Sequence, residues 1–316
     1  MGLNFLITGA GGDVCLGILK SISNINVEKK IFVTGASSLN VSINKKEIFF
    51  TKSPPVRRSK EYINFINQFI KDNKINFLIP CIDSELELYS KIRKFSFCKV
   101  IANKNNSIKL LSDKYKLIKF FKLKKVPTIP TEIATKNNIK NFNLPFVYKP
   151  RLGSGSKNIS FINNVSQKKK LKINVKNKFI LQKYIPGPDY TASFFVENKH
   201  IKNIVVFRRK LKNGRTIKAI LVKKKIIHQQ LKKIIRLINL DFGNIQFKIK
   251  DKKIFVYEVN PRFSGTIELQ CLFSDVPKYI VLKSLFKKTT FVKNSIAALV
   301  AERVKKKWNI IRIKKK

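Results

Sequence analysis

Apolar and polar residues follow one another along this chain in two periods. Leu3–Thr8 is a continuous apolar run, as expected of a parallel strand buried on both faces, and a Gly-rich turn and a helix-like segment Val14–Ser23 follow it. Ile31–Thr34 is a second such run. Ser59–Asn73 carries Tyr62, Ile63, Ile66, Phe69 and Ile70 at helical spacing. Phe77–Pro80 is a short buried strand, and Asp83–Lys94 reads as a helix that Asp83 can cap, with Glu85 and Glu87 near its positive end. Repeated strand–helix alternation predicts a doubly wound α/β layer over residues 1–110.

The second half alternates differently. Ser112–Lys124 reads as a helix with Ser112 as its N-cap, ended by the prolines of Val126–Thr131. Leu144–Pro150 and Asn158–Ile162 are strands on either side of a Gly/Ser-rich turn, and Gln167–Lys178 is a Lys-rich connector. Phe179–Ile185 is extended and runs into Pro186-Gly187-Pro188-Asp189-Tyr190. Tyr190–Val196, Ile201–Arg209 and Thr216–Val222 are strands, the last two separated by an Asn213-Gly214 turn, and Ile226–Leu240 is a helix. Within Asn244–Gly265, Gln246, Lys248 and Lys250 alternate with Phe247 and Ile249, Asp251-Lys252 makes a polar turn, and Ile254–Val259 returns as a second strand. Thr266–Phe273 and Pro277–Phe286 read as closing helices, and the tail from Lys305 as a basic, frayed end.

Composition bounds the class. The 316 residues are enough for two or three packed subdomains, and 44% hydrophobic content is incompatible with a disordered chain. The formal net charge is +49, from 67 basic and 18 acidic residues. Such an excess points to nucleic acid or anionic membrane. The basic residues are mostly Lys, dispersed and interleaved with Asn and Ile, which is also what AT-rich coding writes, although codon usage does not fully account for so few acids. Cys15, Cys81, Cys98 and Cys271 are far apart, form no C-x-x-C pair, and fit buried thiols of a reducing cytoplasm. No apolar run approaches the roughly 20 residues of a membrane span, and a basic n-region with a cleavage site is missing, so neither a membrane anchor nor a signal peptide is expected.

Three stretches carry candidate chemistry. In the hairpin, Glu258 and Asn260 are two apart on one strand and share a face, with Gln246 within cross-strand reach. Three oxygen donors on one face suit a hard cation, the more so if nucleotide phosphates complete the ligand set. Arg262 follows, where a guanidinium can meet a phosphate. Upstream, Lys149 ends a strand that enters Arg151-Leu152-Gly153-Ser154-Gly155-Ser156-Lys157, so an ammonium and backbone N–H groups can both face a phosphate tail. This is not a Walker A loop, which requires G-x-x-x-x-G-K-[ST] before a helix. The third stretch, Gly9-Ala10-Gly11-Gly12-Asp13, places Val14 where a dinucleotide fingerprint needs its third Gly, and the strand Ile31–Thr34 ends without an acidic residue. A dinucleotide role is therefore disfavoured, leaving anion binding or tight strand–helix packing.

The hairpin pattern Q…E-x-N-P-R resembles the metal-binding hairpin of the ATP-grasp superfamily, in the form found in the large subunit of carbamoyl-phosphate synthase and its single-copy relatives. The segments ITGAGGDVCLGILKS, LIPCIDSELEL and D-K…V-P-T-x-P are similar to the same family. The resemblance implies a Rossmann-like α/β pre-ATP-grasp domain over residues 1–111. An α+β ATP-grasp domain over 112–290 would follow, with a small lobe at 112–185 and a large lobe at 186–290, then a C-terminal segment at 291–316. It implies that Gln246, Glu258 and Asn260 hold Mg²⁺ (or Mn²⁺) bridging the phosphates of ATP, and that Arg262 meets the transferring phosphoryl group. Lys114 and Lys149 would face phosphate, with Gly153, Ser154, Gly155 and Ser156 in a lid over it. Gln182 would reach the adenine by its side chain, Lys183, Tyr184 and Ile185 by backbone groups and an apolar wall, and Asp189 would bind the ribose hydroxyls. Many relatives carry Glu where this chain has Lys183. Arg208 and Arg209 would hold an acceptor carboxylate or acyl phosphate. The implied activity is that of a cytoplasmic ATP-dependent carboxylate–amine ligase acting through an acyl phosphate. Its partners would be small-molecule carboxylate and amine substrates, with no specific nucleic acid and no membrane, and a homodimer is the candidate assembly. The competing classes are a nucleic-acid-binding protein, which rests on charge and lacks an aromatic–basic motif, and an ATP-binding module without catalysis, against which the intact ligand set stands.

Overall fold

The computed structural model describes residues 2–37, 46–92, 94–153, 158–171, 178–286, 288–304 and 307–315. The chain divides into two compact units, Met1–Ile108 with Arg262–Lys316, and Lys109–Pro261.

The first unit opens with β1 (Leu3–Thr8), α1 (Asp13–Ser23), β2 (Lys29–Gly35), β3 (Ile48–Lys52), α2 (Ser59–Asp72), β4 (Phe77–Ile79), a 3₁₀ helix over Asp83–Lys91, and β5 (Lys99–Val100). The strands form one all-parallel sheet in the order β3-β2-β1-β4-β5, the doubly wound layer that the apolar runs predict. Phe5, Leu6 and Ile7 of β1 are fully buried, as a strand covered on both faces requires. Tyr62, Ile66 and Ile70 of α2 pack against Leu6 and Leu78, so the helical stripe read from spacing is the buried face.

Two local expectations change here. Asp83 does not cap a helix. Its carboxylate pairs with Arg262, and Ile82 holds the cap position of a 3₁₀ segment. Glu85 instead turns inward and is fully buried, accepting from the backbone N–H of Cys81 and Ile82 (both 2.9 Å) and from the hydroxyls of Thr8 and Tyr62. Burial pushes its pKa up, and these hydrogen bonds pull it back. In the Gly-rich turn, Gly9 and Gly11 have φ of 74° and 77°, and a Cβ on Gly9 would lie 2.9 Å from the Ile82 side chain. Asp13 in the first turn of α1 pairs with Arg303, so a carboxylate already occupies the helix's positive end. The geometry favours tight packing over an anion site.

The second unit begins within α3 (Asn105–Leu111) and runs through α4 (Lys114–Leu123), β6 (Thr131–Ile133), α5 (Lys136–Asn141), β7 (Phe146–Pro150), β8 (Ser160–Ile162), α6 (Val165–Lys169) and β9 (Phe179–Lys183). It goes on with β10 (Asp189–Glu197), β11 (His200–Lys212), β12 (Arg215–Leu221), α7 (Lys225–Ile238), β13 (Phe242–Lys250) and β14 (Lys253–Asn260). Antiparallel β6-β9-β7-β8 is one sheet, and β14-β13-β10-β11-β12 runs as a second. One face of the second sheet, with Ala192, Phe194, Val206, Ile245, Phe247, Ile254, Val256 and Val259, packs against Ile227, Leu231, Ile234, Ile235 and Ile238 of α7 and Leu117 and Phe121 of α4. Each such fully buried side chain contributes about 1.5–3 kcal/mol, so this face is sealed and the polar residues between must point the other way. The β13–β14 turn places Asp251 and Lys252 at φ of 48° and 59°, the paired positive values of a tight two-residue hairpin.

The remaining residues of the first unit form α8 (Ile267–Cys271), α9 (Val276–Leu285), β15 (Ile296–Val304) and β16 (Lys307–Lys315). The tail read as frayed is therefore an antiparallel hairpin. Its apolar residues are β-branched or aromatic, and Arg303 lies 4.4 Å from the ring centroid of Trp308, giving the basic strand an anchor that charge counting misses.

Candidate functional site

Asp113 caps α4, accepting from the N–H of Tyr115 (3.0 Å) and Lys116 (3.2 Å), so the cap is one residue later than the Ser112 that spacing suggests. Its carboxylate also pairs with Arg151 at 2.6 Å. Burial alone would raise its pKa, but the Arg151 guanidinium and the two amide donors hold it below the usual carboxylate range. The cap fixes Lys114 as the first residue of the helix, buried, with Nζ donating to the Gly153 carbonyl at 2.6 Å. Lys114 and the loop after β7 are thus joined directly. Ser154, Gly155 and Ser156 of that loop lie outside the described residues.

Lys149 at the end of β7 is 5% exposed. Its Nζ donates to Gln182 Oε1 on β9 (2.8 Å), whose Nε2 donates to Thr131 Oγ1 on β6 (2.9 Å), and it stands 5.4 Å from the Tyr257 ring centroid. Burial above all, helped by Lys114 and opposed by the Glu258 and Asp189 carboxylates, brings the Lys149 pKa down from its ordinary 10.5 to about 8. Gln182 is therefore occupied with Lys149 and Thr131. Of the following residues, the N–H groups of Lys183 and Tyr184 donate to the carbonyls of Pro130 (2.9 Å) and Pro145 (3.1 Å), so these two donors are spent inside the unit. Lys183 is exposed and Ile185 is buried.

The sheet of β10–β14 carries the rest. The register pairs Gln246 with Glu258 and Asn244 with Asn260, placing Gln246, Glu258 and Asn260 on one face of the hairpin as the two-residue period predicts. A bulge between Gln246 and Phe247 shifts the ladder so that Phe247 faces Val256, leaving Tyr257 as the extra residue. Tyr257 thereby joins the polar face. Its hydroxyl is 3.0 Å from Asp189 Oδ1 and 3.4 Å from Gln246 Oε1. Arg209 Nη2 donates to Gln246 Oε1 (3.0 Å) and to the Tyr257 oxygen (3.1 Å), while its buried Nε meets no hydrogen-bond partner among the described residues. Asp189 Oδ2 pairs with Lys248 at 3.2 Å. Asn244, next to Asn260 in the register, is buried and bonded to Thr191.

The second unit thus brings together Lys149, Gln182, Asp189, Arg209, Gln246 and Tyr257 through hydrogen bonds and a cation–ring contact, with Glu258 and Lys114 close enough to act on the Lys149 charge. It separates the two arginines. Arg208 is exposed and Arg209 is its strand neighbour, so the two side chains leave opposite faces and do not act as a pair. Arg262 belongs to the other unit, where it pairs with Asp83 and donates to the Phe263 carbonyl at 2.7 Å. The residues that sequence reasoning missed are Tyr257, Lys248, Arg151 and Asp113. A bulge brings in Tyr257, and none shows in the sequence. Lys248 was visible only as one alternating lysine among many.

The buried lysine that ends β7, the loop tied to Lys114 and the polar hairpin face all lie within residues 109–261. Residues 111–266 match the ATP-grasp domain family. The fold of the chain is likewise an ATP-grasp fold. The L-amino acid ligase from Bacillus licheniformis matches with a TM-score of 0.70 and 11% identity, over 95% of this chain and 79% of that one. The biotin carboxylase domain dimer of the Hydrogenobacter thermophilus 2-oxoglutarate carboxylase, in complex with MgADP, ADP and bicarbonate, matches with a TM-score of 0.70 and 13% identity, over 96% and 75%. The uncharacterized protein MG011 of Mycoplasma genitalium is 26% identical over 168 residues, 51% of this chain and 56% of that protein. The match therefore spans little more than half the length of that curated relative.

Proposed function

We propose that this ATP-grasp chain is an ATP-dependent carboxylate–amine ligase of the single-copy, carbamoyl-phosphate-synthase-like kind, with its nucleotide held between the two sheets of residues 109–261 acting as two lobes. The observation that carries the reading is the buried cationic site of the second unit. Among the described residues, Lys149 is almost fully buried with no carboxylate bonded to it, and Arg209 keeps a buried N–H without a hydrogen-bond partner. Buried cations and donors are costly unless an anion meets them. A triphosphate and an acceptor carboxylate supply such anions.

The donor chemistry fits Mg²⁺ in a restricted way. Among the described residues no three His, Cys, Asp or Glu side chains gather into a cage. Gln246, Glu258 and Asn260 offer one carboxylate and two amide oxygens on one face, a set suited to a hard cation that takes its remaining ligands from phosphate. Bound there, Mg²⁺ would neutralise charge on the phosphates as it shifts towards ADP.

The protein's own residues would do the rest. Lys114 and Lys149 would hold the phosphate tail and balance the charge of the transferring group. Asp189 receives the ribose hydroxyls, and Gln182 to Ile185 line the base. Arg209 orients the acceptor carboxylate through its buried edge. The γ-phosphoryl group passes from ATP to a carboxylate oxygen, giving ADP and an acyl phosphate. An amine then forms the C–N bond as the C–O bond to phosphate breaks. A thermal-shift measurement with Mg²⁺-ATP, followed by an ADP-release screen over amino, hydroxy and uronic acids, tests the reading. A raised melting temperature is expected, as for any ligand of the native state. An unchanged melting temperature at millimolar nucleotide would overturn it.

A further inference from the structure

Resting on the nucleotide reading above, we propose that Tyr257 is a positioning residue that makes the site selective for ribose, by holding Asp189 in place for the sugar hydroxyls. The bulge that admits Tyr257 to the polar face puts a phenol between a guanidinium and a carboxylate. A phenol has one proton to give. Asp189 Oδ1 lies at 3.0 Å and Gln246 Oε1 at 3.4 Å, so the proton goes to the carboxylate, the nearer and charged acceptor. The same oxygen accepts from Arg209 Nη2 at 3.1 Å, and a cation donating to a phenol strengthens that phenol as a donor. Burial raises the phenol's pKa, which keeps the proton on oxygen.

The other side of Asp189 is fixed independently. Lys248 Nζ lies 3.2 Å from Oδ2 and is itself anchored to the Gly187 carbonyl at 2.6 Å. Each carboxylate oxygen thus has one intramolecular donor and a further lone pair to offer, which matches two vicinal hydroxyls. Remove the phenolic proton and Asp189 keeps only the Lys248 side of this clamp. Phenylalanine at 257 would retain the ring beside Lys149, 5.4 Å from its ammonium, so the hydroxyl can be tested apart from the aromatic surface.

The test is calorimetric titration of the full chain with Mg²⁺-ATP and Mg²⁺-2′,3′-dideoxy-ATP, for wild type, Tyr257→Phe, Asp189→Asn and the double variant, with circular dichroism as the folding check. Wild type should bind ATP more tightly than the dideoxy nucleotide. Tyr257→Phe should weaken ATP by roughly ten- to a hundredfold, the worth of a hydrogen bond to a charged group, and leave the dideoxy nucleotide within about twofold. Adding Tyr257→Phe to Asp189→Asn should cost nothing more, because the hydroxyl acts through the carboxylate. Equal losses for both nucleotides, no loss for either, or additive losses in the double variant would each overturn the proposal. A wild type that binds both nucleotides equally would remove Asp189 from the sugar, and this inference with it. A wild type that binds neither would instead refute the nucleotide reading itself.

Discussion

Nucleotide binding should draw a proton onto the protein at alkaline pH, and Lys149 is the reason. Its pKa is held down to about 8 by burial, against the Glu258 and Asp189 carboxylates, from an ordinary 10.5. That depression corresponds to about 3 kcal/mol. Because the folded-state value lies below the unfolded one, the unfolded chain binds the extra proton between about pH 8 and 10.5. Without added nucleotide, stability therefore rises with pH across that window, and the cost of the buried charge is fully present below pH 8. At pH 9 only about one Lys149 in eleven is charged, and at pH 7 about ten in eleven. If the nucleotide binds as proposed, phosphate oxygens beside Nζ would restore the charge. Binding should then take up about 0.9 proton at pH 9 and about 0.1 at pH 7. Calorimetric titration with Mg²⁺-ATP at pH 9 in two buffers of different ionisation enthalpy measures this directly, and Lys149→Met is the control that should show no uptake. The same variant should stabilise the nucleotide-free fold at pH 7 by up to about 3 kcal/mol, less about 1 kcal/mol for the hydrogen bond that Gln182 loses. Uptake below about 0.3 proton at pH 9, or equal uptake in Lys149→Met, would refute the reasoning.

Two further outcomes follow from contacts on each unit. Glu258→Gln keeps an oxygen on the hairpin face but removes the one formal negative charge of the proposed ligand set, and with it part of what sustains the Lys149 charge. ADP release on an identified acceptor should fall about 100-fold or more with circular dichroism unchanged, and near-wild-type turnover would remove Glu258 from the metal role. Gly17→Ala would place a Cβ 3.0 Å from the Glu268 backbone nitrogen and against the Ile267 side chain, where α1 meets α8. Overpacking of this kind costs about 1–3 kcal/mol, so the melting temperature should drop by several degrees, and an unchanged value would mean that α8 yields freely.

Local pattern alone determined a good deal of this protein. The run Leu3–Thr8, apolar at every position, specifies a strand covered on both faces, and it lies in the middle of the parallel sheet. The alternation in Asn244–Asn260 specifies a hairpin with a polar face, because the side-chain period of a strand is two whatever it packs against. Tertiary structure decided what depends on register and on partners distant in sequence. A one-residue bulge turns Tyr257 onto the polar face, a choice made by ladder pairing and not by residue type. Glu85 leaves the surface of its helix because Thr8 and Tyr62 wait inside to bond it. The basic tail becomes β16 because β15 supplies a partner strand and Trp308 gives Arg303 a face to stack on. Arg208 and Arg209 look like a pair in the sequence, yet backbone geometry sends them to opposite faces. Periodicity fixes which residues can share a face. Which of them meet, and with what charge, is set by burial and by hydrogen-bond partners dozens of residues away, because the cost of an unpaired buried group is settled only once the whole unit has closed.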